Sequence, residues 1–218
     1  MYLQVTNRCN MACRHCMFDC KRQGEDLPVH QVYHATLLAQ QYDHYITIGG
    51  GEPTMHPRLI DIIDTIHEAW PQQMFMVTNG TCTKRKWFQL LDRVAENMVD
   101  LRVSWDPWHN KGLIQPWVSS WASSKHRWWG DTTVVERRIH LRGRAVRYRA
   151  RIEKDGLDFG YPGVTFSNDS DCLWPRIAPD GTIFADMEEP VRVGWLGHDA
   201  YDEACRLLEA YRERIEDE

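Results

Sequence analysis

The sequence predicts an α/β fold built on a parallel sheet with helices outside it. Two observations carry this. Residues 2–105 alternate short β-branched or aromatic runs with amphipathic helical stretches, strand–helix three times over and then a fourth strand. The polar and glycine-rich motifs fall where those runs end, as expected when a parallel sheet offers functional residues at its carboxyl edge.

Taken in order, Tyr2-Leu3-Gln4-Val5-Thr6 reads as the first strand and feeds a cysteine-rich loop that runs through Gly24 to Asp26. Pro28 suits a first helical turn, and Val29, Val32, Tyr33 and Leu37 recur at helical spacing, so 28–41 reads as a helix. Residues 43–49, with Tyr45, Ile46 and Ile48, read as the second strand. Pro57 opens a helix whose buried stripe is Leu59, Ile62, Ile63, Ile66 and Trp70. Met74 to Thr78 is the third strand, closed by Asn79-Gly80. A helix at about 83–96 follows, with Trp87, Leu90, Leu91 and Val94 on one face. In the fourth strand, 98–105, Leu101, Val103 and Trp105 alternate with Arg102, Ser104 and Asp106, and period two puts those polar groups on one side of the sheet.

The second half is less regular. Residues 107–130 carry five tryptophans broken by Pro107, Gly112, Pro116 and Gly130, which predicts a loop with a short helix near 116–124. Residues 133–151 read as extended. Ala178-Pro179-Asp180-Gly181-Thr182 reads as a tight hairpin turn. Asp199 can cap a last helix with Ala204, Leu207, Leu208 and Tyr211 as its apolar face.

Charge is unevenly spread. Between Lys125 and Lys154 ten Lys or Arg face only Asp131, Glu136 and Glu153, so that segment is about +7 within a chain of net charge −5. Arg142, Arg144, Arg147, Arg149 and Arg151 alternate along it, a surface suited to phosphates; the plainer reading is a solvated face. The Trp-rich stretch likewise either stacks a planar substrate or packs core and loop. No window approaches the apolar run a membrane helix needs, and the first strand starts too early for a signal peptide, which predicts a cytoplasmic protein in a reducing compartment.

Cys9, Cys13 and Cys16 stand at spacing C-x3-C-x2-C, and seven cysteines clustered toward one end make a metal site rather than a disulfide framework. Three thiolates so close suit one face of an iron–sulfur cubane with one iron left open. The rivals are a zinc site completed by Cys20 or His15, and an electron-transfer cluster with Cys20 as fourth thiolate. Neither has a use for the distant Gly49-Gly50-Gly51-Glu52-Pro53 at a strand end. Cys82, Cys172 and Cys205 read as small buried hydrophobes.

Together these two motifs resemble the radical S-adenosylmethionine (radical SAM) enzymes, over residues 2–106. The resemblance sharpens the fold to a partial (β/α)6 TIM-like barrel with a small C-terminal β-hairpin plus helix extension. It divides the chain into a barrel core, 1–152, and an extension, 153–218, that closes the barrel. It implies a [4Fe–4S] cluster on Cys9, Cys13 and Cys16, with S-adenosylmethionine (SAM) as second cofactor. His15 fills the place of the aromatic that packs near the SAM adenine. Gly50, Gly51, Glu52 and Pro53 form the motif that holds the SAM amino group. Asn79 and Ser104 lie where members contact SAM or substrate, and Arg144, in Gly143-Arg144-Ala145, can pair with the SAM carboxylate. Asp106 and His109 are the candidate acid–base residues, the latter against a surface or packing role. Cys172 to Gly194 resembles a degenerate auxiliary-cluster extension, with Asp186 where a thiolate is expected.

The implied chemistry is reductive cleavage of SAM to a 5′-deoxyadenosyl radical that abstracts hydrogen from a substrate, with flavodoxin or ferredoxin as electron donor. The basic segment and the tryptophans point to a nucleotide or a phage-type modified DNA base. A peptide or small metabolite is the second reading. An Fe–S electron carrier or binding protein without radical chemistry is the third.

Overall fold

In the computed structural model the described residues are 1–16, 18–41, 45–105, 109–129, 175–184, 192–195 and 206. The chain runs β1 (Tyr2–Thr6), α1 (Val29–Gln41), β2 (Thr47–Gly50), α2 (Leu59–Ala69), β3 (Met74–Thr78), α3 (Lys84–Ala95), β4 (Val99–Ser104), α4 (Pro116–Lys125), β5 (Trp128–Trp129), β6 (Arg176–Ile177), β7 (Thr182–Phe184) and β8 (Arg192–Trp195). The sheet order is β5-β4-β3-β2-β1-β6-β7-β8. From β5 to β6 every pairing is parallel, and β7 and β8 add on antiparallel. Among the described residues the sheet runs open from β5 to β8, which is a partial barrel.

Period two decides what each strand buries. Leu3, Val5, Ile48, Met74, Met76, Leu101 and Val103 are at most 2% exposed and form one core with the helices. The alternate positions, Tyr2, Gln4, Thr47, Gly49, Phe75, Val77, Asp100 and Arg102, take the opposite, inner face. Gly49 leaves room for the Tyr2 ring, whose hydroxyl would lie 2.1 Å from a Cβ there.

The helices follow their sequence patterns with one rotation. In α2 Leu59, Ile62, Ile63 and Ile66 are buried, and in α3 Trp87 and Leu90. In α1 the buried positions are Gln31, Val32, Ala35, Thr36, Leu38 and Ala39, while Tyr33 stands 48% exposed. The buried side carries Ala35 and Ala39, and the large ring is turned outward. Thr83 caps α3 by accepting from the Lys86 N–H, and a two-pronged Arg93–Asp64 ion pair, 2.6 Å at its shorter contact, ties α3 to α2.

The short helix of the Trp-rich stretch forms as α4. Trp121 meets the buried Trp87 edge-on at 5.2 Å, and Trp117 and Trp121 pack on the core. These two rings are therefore framework. The hairpin turn also forms: Gly181 has φ +82°, its N–H donates to the Ala178 carbonyl at 2.9 Å, and the strands it joins are β6 and β7. Sequence gave no sign that β6 pairs parallel with β1, at Tyr2↔Arg176 and Leu3↔Ile177. That pairing joins residues 174 apart in the chain and carries a hydrogen bond from Arg176 to Gln4, 2.7 Å.

The extended segment 133–151 with its arginines, Asp106, Arg144, Cys172, Asp186 and Cys205 lie outside the described residues. So does the last helix, save Arg206, which is helical.

His56 gives the fold a pH dependence. Its ring is 2% exposed, with Nε2 3.0 Å from the Leu27 carbonyl and Nδ1 accepting from the Arg58 N–H at 3.1 Å. Burial lowers its pKa below the ordinary 6.5, although the Leu27 carbonyl and Asp26 oppose the shift. Below pH 6.5 the unfolded chain takes up a proton that the folded chain refuses. Stability is therefore full above that pH and falls as pH drops toward the lowered value, by at most about 1.4 kcal/mol per pH unit. Chemical denaturation between pH 7.5 and 5 should show this loss in the native chain and a flatter profile in His56→Gln.

Candidate active site

Three loops meet at the carboxyl edge of the sheet. The first follows β1 and carries the cysteines. The Cys9 N–H donates to the Lys21 carbonyl at 2.6 Å and the Lys21 N–H to Asn7 at 3.3 Å, so the loop is closed on itself. Arg8 fixes its base: the guanidinium pairs with Asp26 at 2.6 Å and donates to the Met55 carbonyl at 2.8 Å. Asp26 also accepts from the Thr6 hydroxyl at 2.7 Å.

Cys9, Cys13 and Cys16 are half-buried in this loop, whereas Cys20 is 2% exposed and belongs to the core. The Met11 N–H points at the Cys9 sulfur and the Cys20 N–H at the Cys16 sulfur, each at 3.4 Å. Such N–H groups suit thiolates that carry charge on coordination. Burial pushes the free Cys9 thiol up to about 12, helped by the charge of Glu52 and by Cys13 and Cys16, and opposed by the Met11 N–H. Cys9 would therefore ionise on binding a metal rather than beforehand. Three half-buried cysteines on one loop, two of them faced by N–H donors, are a donor set of the kind an iron–sulfur cluster takes, although among the described residues no three Cys, His, Asp or Glu side chains converge closely enough to hold a single metal ion. Cys20 contributes its amide to that arrangement. Cys82, 5% exposed and likewise raised to about 12 by burial, is a packing thiol, as its isolation in sequence suggested.

The second loop is Gly49 to Met55. The Gly51 N–H donates to Thr6 and the Glu52 N–H to Arg8, at 2.7 and 2.8 Å, so the glycine motif is laced directly to the base of the cysteine loop. Gly50 has φ +130°, and a Cβ on Gly51 would lie 2.0 Å from the Arg8 carbonyl oxygen. Gly51→Ala is therefore expected to displace the cysteine loop at a cost of about 3 kcal/mol. Iron binding should weaken in parallel, which thermal denaturation with and without reconstituted iron would read. Pro53 is buried at the start of a short 3-10 turn, Pro53–Met55. Lys86, whose pKa burial lowers, closes that turn by donating to the carbonyls of Thr54 and His56 at 2.7 and 2.8 Å.

Glu52 is the hub. It is 1% exposed. Its Oε1 accepts from the Thr54 N–H, the Thr54 hydroxyl and the Thr78 hydroxyl at 3.0, 2.5 and 2.6 Å; its Oε2 accepts from the Asn79 N–H at 2.7 Å. A carboxylate has about four acceptor positions shared between two oxygens, so Oε2 keeps room for one more donor. Sequence reasoning assigned Glu52 to a ligand ammonium and missed its work of joining the ends of β2 and β3. Its partners Thr54 and Thr78 are too common a residue type to have signalled this.

The third loop is Asn79 to Thr83. Asn79 is 5% exposed, and its side chain bonds Asn10 of the cysteine loop and Thr81. Asn10 and Thr81 were not singled out in sequence. Ser104 is buried at the end of β4, and the described segment 109–115 makes contacts with the cysteine loop and the third loop. Its Gln115 N–H donates to the Gly80 carbonyl at 3.0 Å, and the His109 ring meets the His15 ring edge-on at 5.1 Å. The structure thus brings His15, predicted near adenine, together with His109, predicted as an acid or base.

This geometry meets the comparisons with known proteins. Residues 3–106 match the model of the Radical SAM superfamily. A curated relative, the S-adenosylmethionine-dependent nucleotide dehydratase of Thermoplasmatales archaeon (strain ISO4-H5), is 24% identical over 94 residues, 43% of this chain and 34% of that one. The chain therefore spans about a third of that relative's length. Among solved structures, BtrN in complex with AdoMet and 2-DOIA matches with a TM-score of 0.60 at 14% identity, covering 97% of this chain and 84% of that one. Native anSMEcpe with bound AdoMet and Cp18Cys peptide matches at 0.52 and 10% identity, covering 96% and 81%. Residues 3–106, just under half of the chain, thus resemble a radical SAM domain, and the fold resembles solved structures that hold AdoMet. Among the described residues no helix is long and apolar enough to cross a membrane.

Proposed function

We propose that this chain is a radical SAM enzyme acting on a nucleotide, in a reducing compartment and fed electrons by a flavodoxin or ferredoxin. Cys9, Cys13 and Cys16 would hold the cluster, and Gly50 to Pro53 with His15 would seat SAM. When bound, these cofactors supply one-electron cleavage of the SAM sulfonium and a 5′-deoxyadenosyl radical that takes a hydrogen atom from substrate. The protein's own residues orient and enclose. Arg8, Glu52 and Asn79 fix the three loops, and His109 lies against His15, in reach of whatever His15 packs on.

The observation that carries the substrate class is the charge of the inner face. Arg102 and Arg127 both reach Asp100, at 3.2 and 2.5 Å, so two guanidiniums share one carboxylate. Across the sheet Arg176 lies over the Phe184 ring at 3.9 Å and near Phe18 at 5.3 Å. Cations and aromatic rings on one inner face suit an anion with a planar part. The curated relative's name supports the same class. The basic segment with Arg142, Arg144, Arg147, Arg149 and Arg151 favours phosphates as well, and it keeps the modified-DNA reading in play.

The test is 5′-deoxyadenosine formation by reconstituted protein with SAM and dithionite, in the presence of nucleosides, nucleoside mono- and triphosphates, double-stranded DNA or peptides. Stimulation by a phosphorylated nucleotide, with deuterium passing from labelled nucleotide into 5′-deoxyadenosine, upholds the proposal. Stimulation by DNA or peptide alone overturns the nucleotide assignment.

A further inference from the structure

We infer that Asn79 is a positioning residue for the cluster: its carboxamide locks the cysteine loop onto the end of β3 and directs an N–H at the Cys9 sulfur, setting how readily a cluster held there accepts an electron. This rests on the reading of Cys9, Cys13 and Cys16 as cluster ligands.

The amide's orientation follows from its partners. Asn79 Oδ1 accepts twice from Thr81, from its N–H at 3.1 Å and its hydroxyl at 2.7 Å. Nδ2 therefore lies on the other side, toward the cysteine loop. There it donates to Asn10 Oδ1 at 3.0 Å and stands 4.0 Å from Cys9 Sγ. Asn10 Nδ2 in turn donates to the Thr81 hydroxyl oxygen at 2.6 Å. The Thr81 hydroxyl thus donates once and accepts once, and the ring closes from Asn79 to Asn10, from Asn10 to Thr81 and from Thr81 back to Asn79. All four positions of the carboxamide are thus engaged within the protein, the fourth by the 4.0 Å approach to Cys9 Sγ.

The electrostatics follow from the same geometry. Cys9 faces two N–H donors, from Met11 and Asn79, while the nearby charge of Glu52 acts in the opposite sense on it. The Asn79 backbone N–H meets that carboxylate at 2.7 Å. One residue thus engages the carboxylate through its backbone and the sulfur through its side chain. A reduced cluster carries one more negative charge than an oxidised one, so an N–H aimed at a ligand sulfur favours reduction.

The experiment compares native protein with Asn79→Leu, Asn79→Asp and Asn79→Ser. It reads iron content and the reduced fraction by electron paramagnetic resonance in a redox titration, and hydrogen exchange over residues 9–13 of the cluster-free chain. The native chain should take four irons. At fixed poise Asn79→Leu should show about tenfold less reduced relative to oxidised cluster, a fall of about 59 mV for one electron. Asn79→Asp, which keeps the Thr81 acceptor but brings a negative charge to the sulfur, should fall further. Loop exchange should quicken in the cluster-free variants. If Asn79→Leu does not fold, Asn79→Ser, whose small polar side chain removes the carboxamide without placing an apolar group among these donors and acceptors, carries the comparison. Unchanged potential and unchanged loop exchange in folded variants overturn the inference. A native chain that takes no iron overturns the cysteine assignment instead, and the exchange comparison still tests the lock.

Discussion

Cys13→Ala is expected to abolish both cluster assembly and 5′-deoxyadenosine formation, while Cys20→Ala keeps both. The four cysteines of the loop differ in what surrounds them. Cys9, Cys13 and Cys16 are accessible at the site, and two of the three sulfurs already face N–H donors. Cys20 is 2% exposed and offers its amide to Cys16. A three-thiolate cluster cannot lose a ligand without losing its hold, whereas a core thiol replaced by alanine costs about 1–2 kcal/mol of stability. Iron and sulfide content and product analysis on the two variants separate these roles. Loss of the cluster in Cys20→Ala, with the protein folded, would favour four-thiolate ligation of the electron-transfer kind.

The second large effect is expected at Glu52, in the fold as much as in the chemistry. Glu52→Ala leaves the hydroxyls of Thr54 and Thr78 and the N–H groups of Thr54 and Asn79 without their acceptor. Unsatisfied buried donors cost about 1–3 kcal/mol each, not fully additively, so a loss of about 3–5 kcal/mol is expected in denaturant unfolding of the cluster-free chain. Glu52→Gln should cost about 1–3 kcal/mol, because its NH2 must face the Asn79 N–H if its oxygen serves the other three donors. A residue serving only a ligand ammonium would leave the cluster-free chain as stable as the native one.

Much of this was legible in sequence because local chemistry dictated it. The alternation of Leu101 and Val103 with Arg102 and Ser104 announced a strand with two unlike faces, and the stripe Leu59, Ile62, Ile63 and Ile66 announced a buried helix. The cysteine spacing and Gly50 to Pro53 marked the site. Long-range contacts were not legible. Nothing near Arg176 indicates that it pairs beside Tyr2, and nothing near Thr78 or Thr81 indicates a carboxylate and an asparagine from other loops. Tyr33 misled because helical spacing fixes a period and not which flank of the stripe faces inward; in α1 the buried flank is the one that carries Ala35 and Ala39.

The central claim is that the cysteine loop holds a cluster at which SAM binds. It is tested most directly by the electron paramagnetic resonance spectrum of the reduced, reconstituted protein before and after SAM is added. A spectrum that changes on addition of SAM, with 5′-deoxyadenosine then accumulating, is the expected result. A cluster whose spectrum ignores SAM, with no 5′-deoxyadenosine formed, would contradict the claim and make the chain an electron carrier or binding protein.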